Sequence, residues 1–170
     1  SFGGTLFPYL SSNLDFSTSA DLADLVVADA QAPLPTSIAA TTVIDVNGEQ
    51  IGVVGATTPT LPIISSPGDV TVLPEDFDGN PTAAQLDALA AEIQTDVDEM
   101  LAANPGLNKV DVLSHMQQIA IEQALATRLT NVDVIVAGGS NTRLADEDDR
   151  LRAGDEAQGT YPIFSSDADG

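Results

Sequence analysis

Cysteine and tryptophan are absent from this chain, histidine occurs once, and lysine plus arginine number only 5 among 170 residues. Without cysteine there is no disulfide, no zinc ribbon and no thiol nucleophile, although that absence does not fix a compartment. Aromatic residues make up 4%, so a core must be built from Val, Ile, Leu and Ala. No apolar run approaches the roughly 20 residues that a membrane-spanning helix needs. Ser1 is not an initiator methionine and no signal peptide is visible, so the expectation is a processed chain or part of something longer.

Acid is what the sequence has in excess. Asp plus Glu number 26, giving a formal net charge of -21. Such a surface repels nucleic acid and anionic membranes, so neither is expected as a partner. It suits a salty or divalent-rich medium, where screening relieves self-repulsion, and hence an extracellular or periplasmic setting. Solubility in saline surroundings and calcium held at the acidic surface are both open readings. Hydrophobic residues make up 43%, a globular composition in a chain long enough for one domain with a core.

Taken in order, Leu6 to Asn13 opens with a candidate strand that Pro8 confines to a strand start or an edge. Asp21 to Asp29 reads as a short helix with Leu22, Leu25 and Val26 inward, ended by Pro33 and Pro35. Thr41–Val46 and Gln50–Val54 flank Asn47-Gly48, the strongest short hairpin signal because both turn residues tolerate positive φ. The chain then leaves that strand for an extended loop in which Pro59, Pro62 and Pro67 argue against a helix. Asp76-Phe77-Asp78-Gly79-Asn80 has the look of a calcium loop but lacks the closing Glu of an EF-hand, and an ordinary turn ahead of a helix is the preferred reading. Thr82 and Gln85 stand at capping-box spacing ahead of a helix whose buried stripe is Leu86, Leu89, Ile93, Val97 and Met100. Asp87, Glu92, Gln94, Asp96 and Asp98 fall outside that stripe or on its flanks, and Asn104-Pro105-Gly106 ends the helix. Asp146 to Asp149 reads as a solvated acidic loop, and Tyr161 to Phe164 as a further strand. Asp167-Ala168-Asp169-Gly170 announces a turn into a strand that does not follow, so truncation is expected there. There is no internal repeat.

Lys109 to Asn141 reads as one β-α-β unit. Val110 to Leu113 is a short apolar run ending at Ser114-His115, Gln117 to Leu129 places Ile121, Leu125 and Leu129 on one stripe, and Val132 to Ala137 is a second run. Runs this apolar suit parallel strands buried on both faces. A crossover helix returns the chain to the same sheet edge, which sets His115 beside the Gly138-Gly139-Ser140-Asn141 turn. Ligands bind at that edge in open α/β sheets. Bland readings stand beside this one: a histidine satisfied by backbone hydrogen bonds, and a glycine turn needing positive φ.

Leu113-Ser114-His115, then Asp133 to Thr142 with its Gly138-Gly139-Ser140-Asn141 turn, resembles the second half of a calcineurin-like metallophosphoesterase domain. The branch it resembles is that of bacterial 5′-nucleotidases and atypical alkaline phosphatases. Phe7 to Asn13 is similar to the strand after that family's Asn-His metal motif, and Ile51 to Pro59 to its next core strand and loop. Four segments in the same order cover most of the chain.

The resemblance implies an α/β fold: a mixed β-sheet with packed helices, part of a four-layer sandwich, with residues 1–170 forming a single, incomplete domain. It implies two divalent ions (zinc, manganese or iron) that activate a water and clamp a phosphorylated small molecule. His115 matches a metal-binding histidine. In place of the family's Gly-His-x-His this chain has Gly138-Gly139-Ser140-Asn141, where Gly139 has no side chain and Asn141 offers only an amide oxygen. The family's first Asp-x-His, bridging Asp and Asn-His motifs all precede the segment matched by Leu6 to Asn13. This chain alone therefore has an incomplete dinuclear site. Two expectations follow: a secreted phosphomonoester hydrolase whose other ligands lie elsewhere, or a non-catalytic module that keeps the fold. Either way the expected partner is the remainder of the same protein or neighbouring copies.

Overall fold

The computed structural model describes residues 3–168. Its elements run β1 (Tyr9–Leu10), β2 (Leu14–Asp15), β3 (Ile38–Ala39), β4 (Thr41–Val46), β5 (Glu49–Thr57), α1 (Leu61–Ile64), β6 (Thr71–Val72), α2 (Ala83–Ala103), β7 (Val110–His115), α3 (Ile119–Ala126), β8 (Val134–Gly138), β9 (Leu144–Ala145) and β10 (Gly159–Thr160). The fold is mixed α/β. Its centre is a four-stranded sheet in the order β4-β5-β7-β8. β4 and β5 are antiparallel, whereas β5, β7 and β8 run parallel.

The hairpin forms at Asn47-Gly48 with φ of 57° and 90°, the left-handed pair that a two-residue turn requires. Asp45 tightens it by accepting the Gly48 N–H at 3.1 Å. β5 does not leave the sheet at Val53-Val54 but continues to Thr57, because β7 pairs with it along its far side up to Thr57 and His115. α2 starts at a complete capping box: Gln85 N–H donates to Thr82 Oγ1, and Thr82 N–H to Gln85 Oε1. Its Leu89, Ile93, Val97 and Met100 are fully buried against the sheet. β5 carries a glycine where α2 comes close, since a Cβ at Gly52 would lie 2.5 Å from Met100 Cε. α3 adds Ile121 and Leu125 to the same core, and Leu129 joins them from just beyond the helix.

The opposite face of the sheet is only half covered. Over β5 runs the β1–β3 pair: Ser12 N–H donates to Gly55 O, and a Cβ at Gly55 would collide with the Leu10 carbonyl. Over β7 and β8 the cover is partial, and Leu113, Val134 and Val136 are 46%, 48% and 52% exposed. The expectation that both central strands are buried on both faces is therefore corrected. β7 is buried on alternate residues only, and β8 is an edge strand.

Other expectations shift for local reasons. Asp21 to Asp29 forms no α-helix but a single 3-10 turn at Ala23–Leu25, with Leu25 and Val26 exposed. Val26 and Val27 are drawn out straight beside Ile38 instead, and Asp29 accepts the N–H groups of Ala40 and Thr41. Pro62 does not prevent the one-turn helix α1, because proline is tolerated in a first turn, where its missing N–H has no partner to lose. α3 begins at Ile119 and not at Gln117, whose φ of 68° is incompatible with a helix start. Tyr161 to Phe164 is not a strand; the pairing falls earlier, at Gly159–Thr160 against Leu144–Ala145. In the Asp76 to Asn80 turn both carboxylates are taken by Gln85 Nε2. Asp146 to Asp149 is exposed, as expected. The C-terminal turn expected at Asp167 to Gly170 lies partly outside the described residues; Ala168, within them, donates to Leu129 O.

Candidate functional site

The parallel strands end level with one another. Thr57 of β5 is the register partner of His115 in β7, and His115 is the partner of Gly138 in β8. The β-α-β unit thus delivers His115 and the glycine turn to the same carboxyl edge, as the sequence pattern implied. The contact is close. A Cβ at Gly138 would lie 3.2 Å from His115 Nδ1, and one at Gly139 would lie 2.8 Å from His115 Nε2 and 3.2 Å from Gln117 Cδ. Gly139 also has a φ of 85°, so its turn favours glycine on two counts. Ser140 is half-buried, and its hydroxyl accepts the Thr142 N–H at 3.3 Å. Asn141 is exposed, has a φ of 53°, and makes no side-chain hydrogen bond among the described residues. The structure therefore joins His115, Gly138 and Gly139 directly, with Ser140 and Asn141 following on the outward turn.

Two buried polar residues support this edge and were not singled out by the sequence. Asn13 is fully buried and ties three segments together. Its amide donates to Thr57 O at 2.7 Å and Leu73 O at 2.8 Å, and its oxygen accepts the Thr57 N–H at 2.8 Å. Glu122, on α3, is only 3% exposed, and its Oε1 accepts the Met116 N–H at 3.0 Å and lies 3.4 Å from Ser114 Oγ. Burial pushes the Glu122 carboxyl up from the usual carboxylate range, against the opposing pull of the N–H groups around it. A signal for it does exist in the sequence. Glu122 precedes Leu125 by three residues and Leu129 by seven, which places a carboxylate on the helix's apolar stripe.

A dinuclear centre needs several hard or imidazole ligands converging on one point. Among the described residues no group of three or more His, Asp or Glu side chains is placed to hold a metal. The nearby carboxylate, Glu122, is turned inward to Met116. One imidazole and one amide do not make a metal centre, so the residues present do not by themselves fit the ions.

A sizeable cavity lies elsewhere. A groove of about 790 Å³ runs along the free edge of β8, walled by α3 and by Tyr161 to Ser165. It is lined by Val134, Val136 and Ile163 among others, and it does not include His115 or the glycine turn.

No family model matches the chain. Its relatives are nonetheless clear. The 5′-nucleotidase of Diplobatis ommata is 31% identical over 128 residues, covering 75% of this chain and 19% of that protein. The 5′-nucleotidase of Homo sapiens is 28% identical over 168 residues, covering 96% of this chain and 24% of that protein. Among solved structures, the 5′-nucleotidase precursor from Thermus thermophilus superposes with a TM-score of 0.71 and 31% identity, over 95% of this chain and 26% of its own. The NAD nucleotidase of Haemophilus influenzae shares the fold, with a TM-score of 0.63 at 24% identity over 96% of this chain and 24% of its own.

Proposed function

We propose, for a chain that belongs to the 5′-nucleotidase branch of the metallophosphoesterases and spans about a fifth to a quarter of its relatives' length, that it forms part of a phosphomonoester hydrolase acting on nucleotides. The observation that carries this reading is the level ending of β7 and β8, which sets His115 against the Gly138 to Asn141 turn at the ligand-binding edge of a parallel sheet. In this reading residues 1–170 are one incomplete domain. The ligands that His115 and Asn141 lack come from another part of the protein, which also covers the open face of β7 and β8. The ions in question are zinc, manganese or iron, and the working place is extracellular or periplasmic, where a charge of -21 is best screened.

A second reading has its own support. Gly139 offers no ligating side chain beside the His115 ring, which favours a non-catalytic module that keeps the fold. Nucleotide hydrolysis in the presence of added zinc or manganese separates the two. On the enzymatic reading, the natural full-length protein releases phosphate from a nucleoside monophosphate, and His115→Ala lowers the rate by about 100-fold or more, the loss typical of removing a group that orients charge in a transition state. Hydrolysis that His115→Ala leaves untouched removes His115 from the chemistry. No hydrolysis with either ion leaves the module reading standing.

A further inference from the structure

A glutamate is almost never fully buried unless a cation accompanies it, and Glu122 has none among the described residues. Its position also suits a leucine or methionine, since Ile121 and Leu125 on either side already belong to the apolar core. Burying a carboxylate there carries a desolvation penalty that an apolar side chain of the same size would not. What the carboxylate touches accounts for its presence. Oε1 accepts the N–H of Met116, the residue after His115, and sits 3.4 Å from the hydroxyl of Ser114, the residue before it. Ser114 and Met116 are both buried on the helix side of β7, so His115 between them is turned to the open side. The Gly138 N–H draws on the same carboxyl, and Oε2 is left without a partner of good geometry. The glycine that follows packs on the His115 ring. One side chain therefore grips the end of β7 on both sides of His115.

We propose that Glu122 is a positioning residue: it holds the Met116 N–H and the Ser114 hydroxyl on either side of His115 and thereby sets the imidazole against the Gly138-Gly139 turn. It touches neither a substrate nor a reacting atom. Its place in the first turn of α3 favours this use, because the unpaired N–H groups at a helix start stabilise a nearby carboxylate. The proposal concerns the same edge as the phosphomonoesterase reading, but it does not require that reading, since its test needs neither substrate nor metal.

The test compares Glu122→Gln, which keeps an oxygen acceptor at the same place, with Glu122→Met, which keeps the volume and removes the acceptor. Both are made in the whole chain and followed by heteronuclear NMR. The His115 imidazole signal is identified as the one lost in His115→Gln, and the amides of Met116, Gly138 and Gly139 report on the two strand ends. The β4–β5 hairpin signals report on the fold at large. In Glu122→Met the imidazole and Gly139 signals shift and broaden while the hairpin signals stay, and in Glu122→Gln all of them remain close to their original positions. Unmoved imidazole and Gly139 signals in a folded Glu122→Met overturn the proposal, as does a Glu122→Gln displacement as large as that of Glu122→Met. Should Glu122→Met fail to fold, Glu122→Gln decides. A folded protein with an unmoved imidazole upholds the positioning role, and a moved imidazole or an unfolded protein replaces it with a general core role.

Discussion

Asn13 shows how much of a parallel sheet edge can depend on one side chain. It answers both the N–H and the carbonyl of Thr57 and also the carbonyl of Leu73. Asn13→Ala leaves them buried and unpaired, and each such group costs about 1–3 kcal/mol, although water entering the gap recovers part of that. The expected loss is about 2–4 kcal/mol, read as a lower denaturant midpoint. A change below about 0.5 kcal/mol would mean the segments hold one another without it. Asp96 is a different case. Its carboxyl sits half-buried on α2 beside Ser12 and is pushed up to about 6, first by burial and then by the charges of Asp29, Glu99 and Glu92, against the pull of the Ser12 hydroxyl. The folded protein therefore holds this proton to higher pH than the unfolded chain does, and stability falls as pH rises from about 4 to about 6 before levelling off. Asp96→Asn removes that decline. The variant is expected to gain about 1–2 kcal/mol over the parent at pH 7 and nothing at pH 4, a contrast that thermal melts at the two pH values would show. Equal effects at both would assign the change to packing instead.

Elements divide by how local their causes are. The capping box of α2 is written in Thr82 and Gln85, three residues apart, and it forms as written. Thr82→Ala should cost about 1 kcal/mol by leaving the Gln85 N–H without its acceptor, with Thr82→Ser restoring most of it; a denaturant midpoint unmoved by Thr82→Ala would count the box as ornament. The Asn47-Gly48 hairpin was legible for the same reason, as was the β-α-β unit, whose apolar runs and stripe repeat over a long window. From that unit the placement of His115 beside Gly138 followed without any tertiary information. What was not legible depended on partners far away in the chain. Leu22, Leu25 and Val26 have helical spacing, yet Val27 finds the Ile38 carbonyl and Asp29 finds the N–H groups of Ala40 and Thr41, so the segment stretches along β3. Pairing with a distant strand outweighed a weak local preference. Glu122 was missed because a carboxylate on a helix is ordinarily solvated, and nothing short of the fold reveals that Met116 and Ser114 close over it. An incomplete domain is expected to leave apolar faces exposed, but that the open face is that of β7 and β8 was not legible, because an apolar run describes the residues and not what covers them.

At the scale of the whole molecule, two opposing forces meet on that face. Leu113, Val134 and Val136 present aliphatic surface beside a free strand edge, an arrangement that favours association with another sheet. The net charge of -21 resists bringing two copies together. Repulsion between whole molecules acts over a distance set by salt, about 30 Å at 0.01 M and about 3 Å at 1 M, whereas apolar contact does not weaken on adding salt. Salt therefore decides which force prevails. The isolated 170-residue chain is expected to sediment as a monomer in dilute buffer and to associate in about 0.5 M sodium chloride, where the screening length is only a few ångströms. Val136→Lys places a cation in the middle of the face while leaving the helix-side core intact, so it should suppress the high-salt association with little change in stability, within about 0.5 kcal/mol for a surface position. Association that persists in Val136→Lys would locate the contact elsewhere, with the exposed Tyr161 and Phe164 next in line. A chain that stays monomeric at every salt concentration would mean that the free edge and its aliphatic face are tolerated in water, and the case for a covering partner would then rest on the relatives' greater length alone.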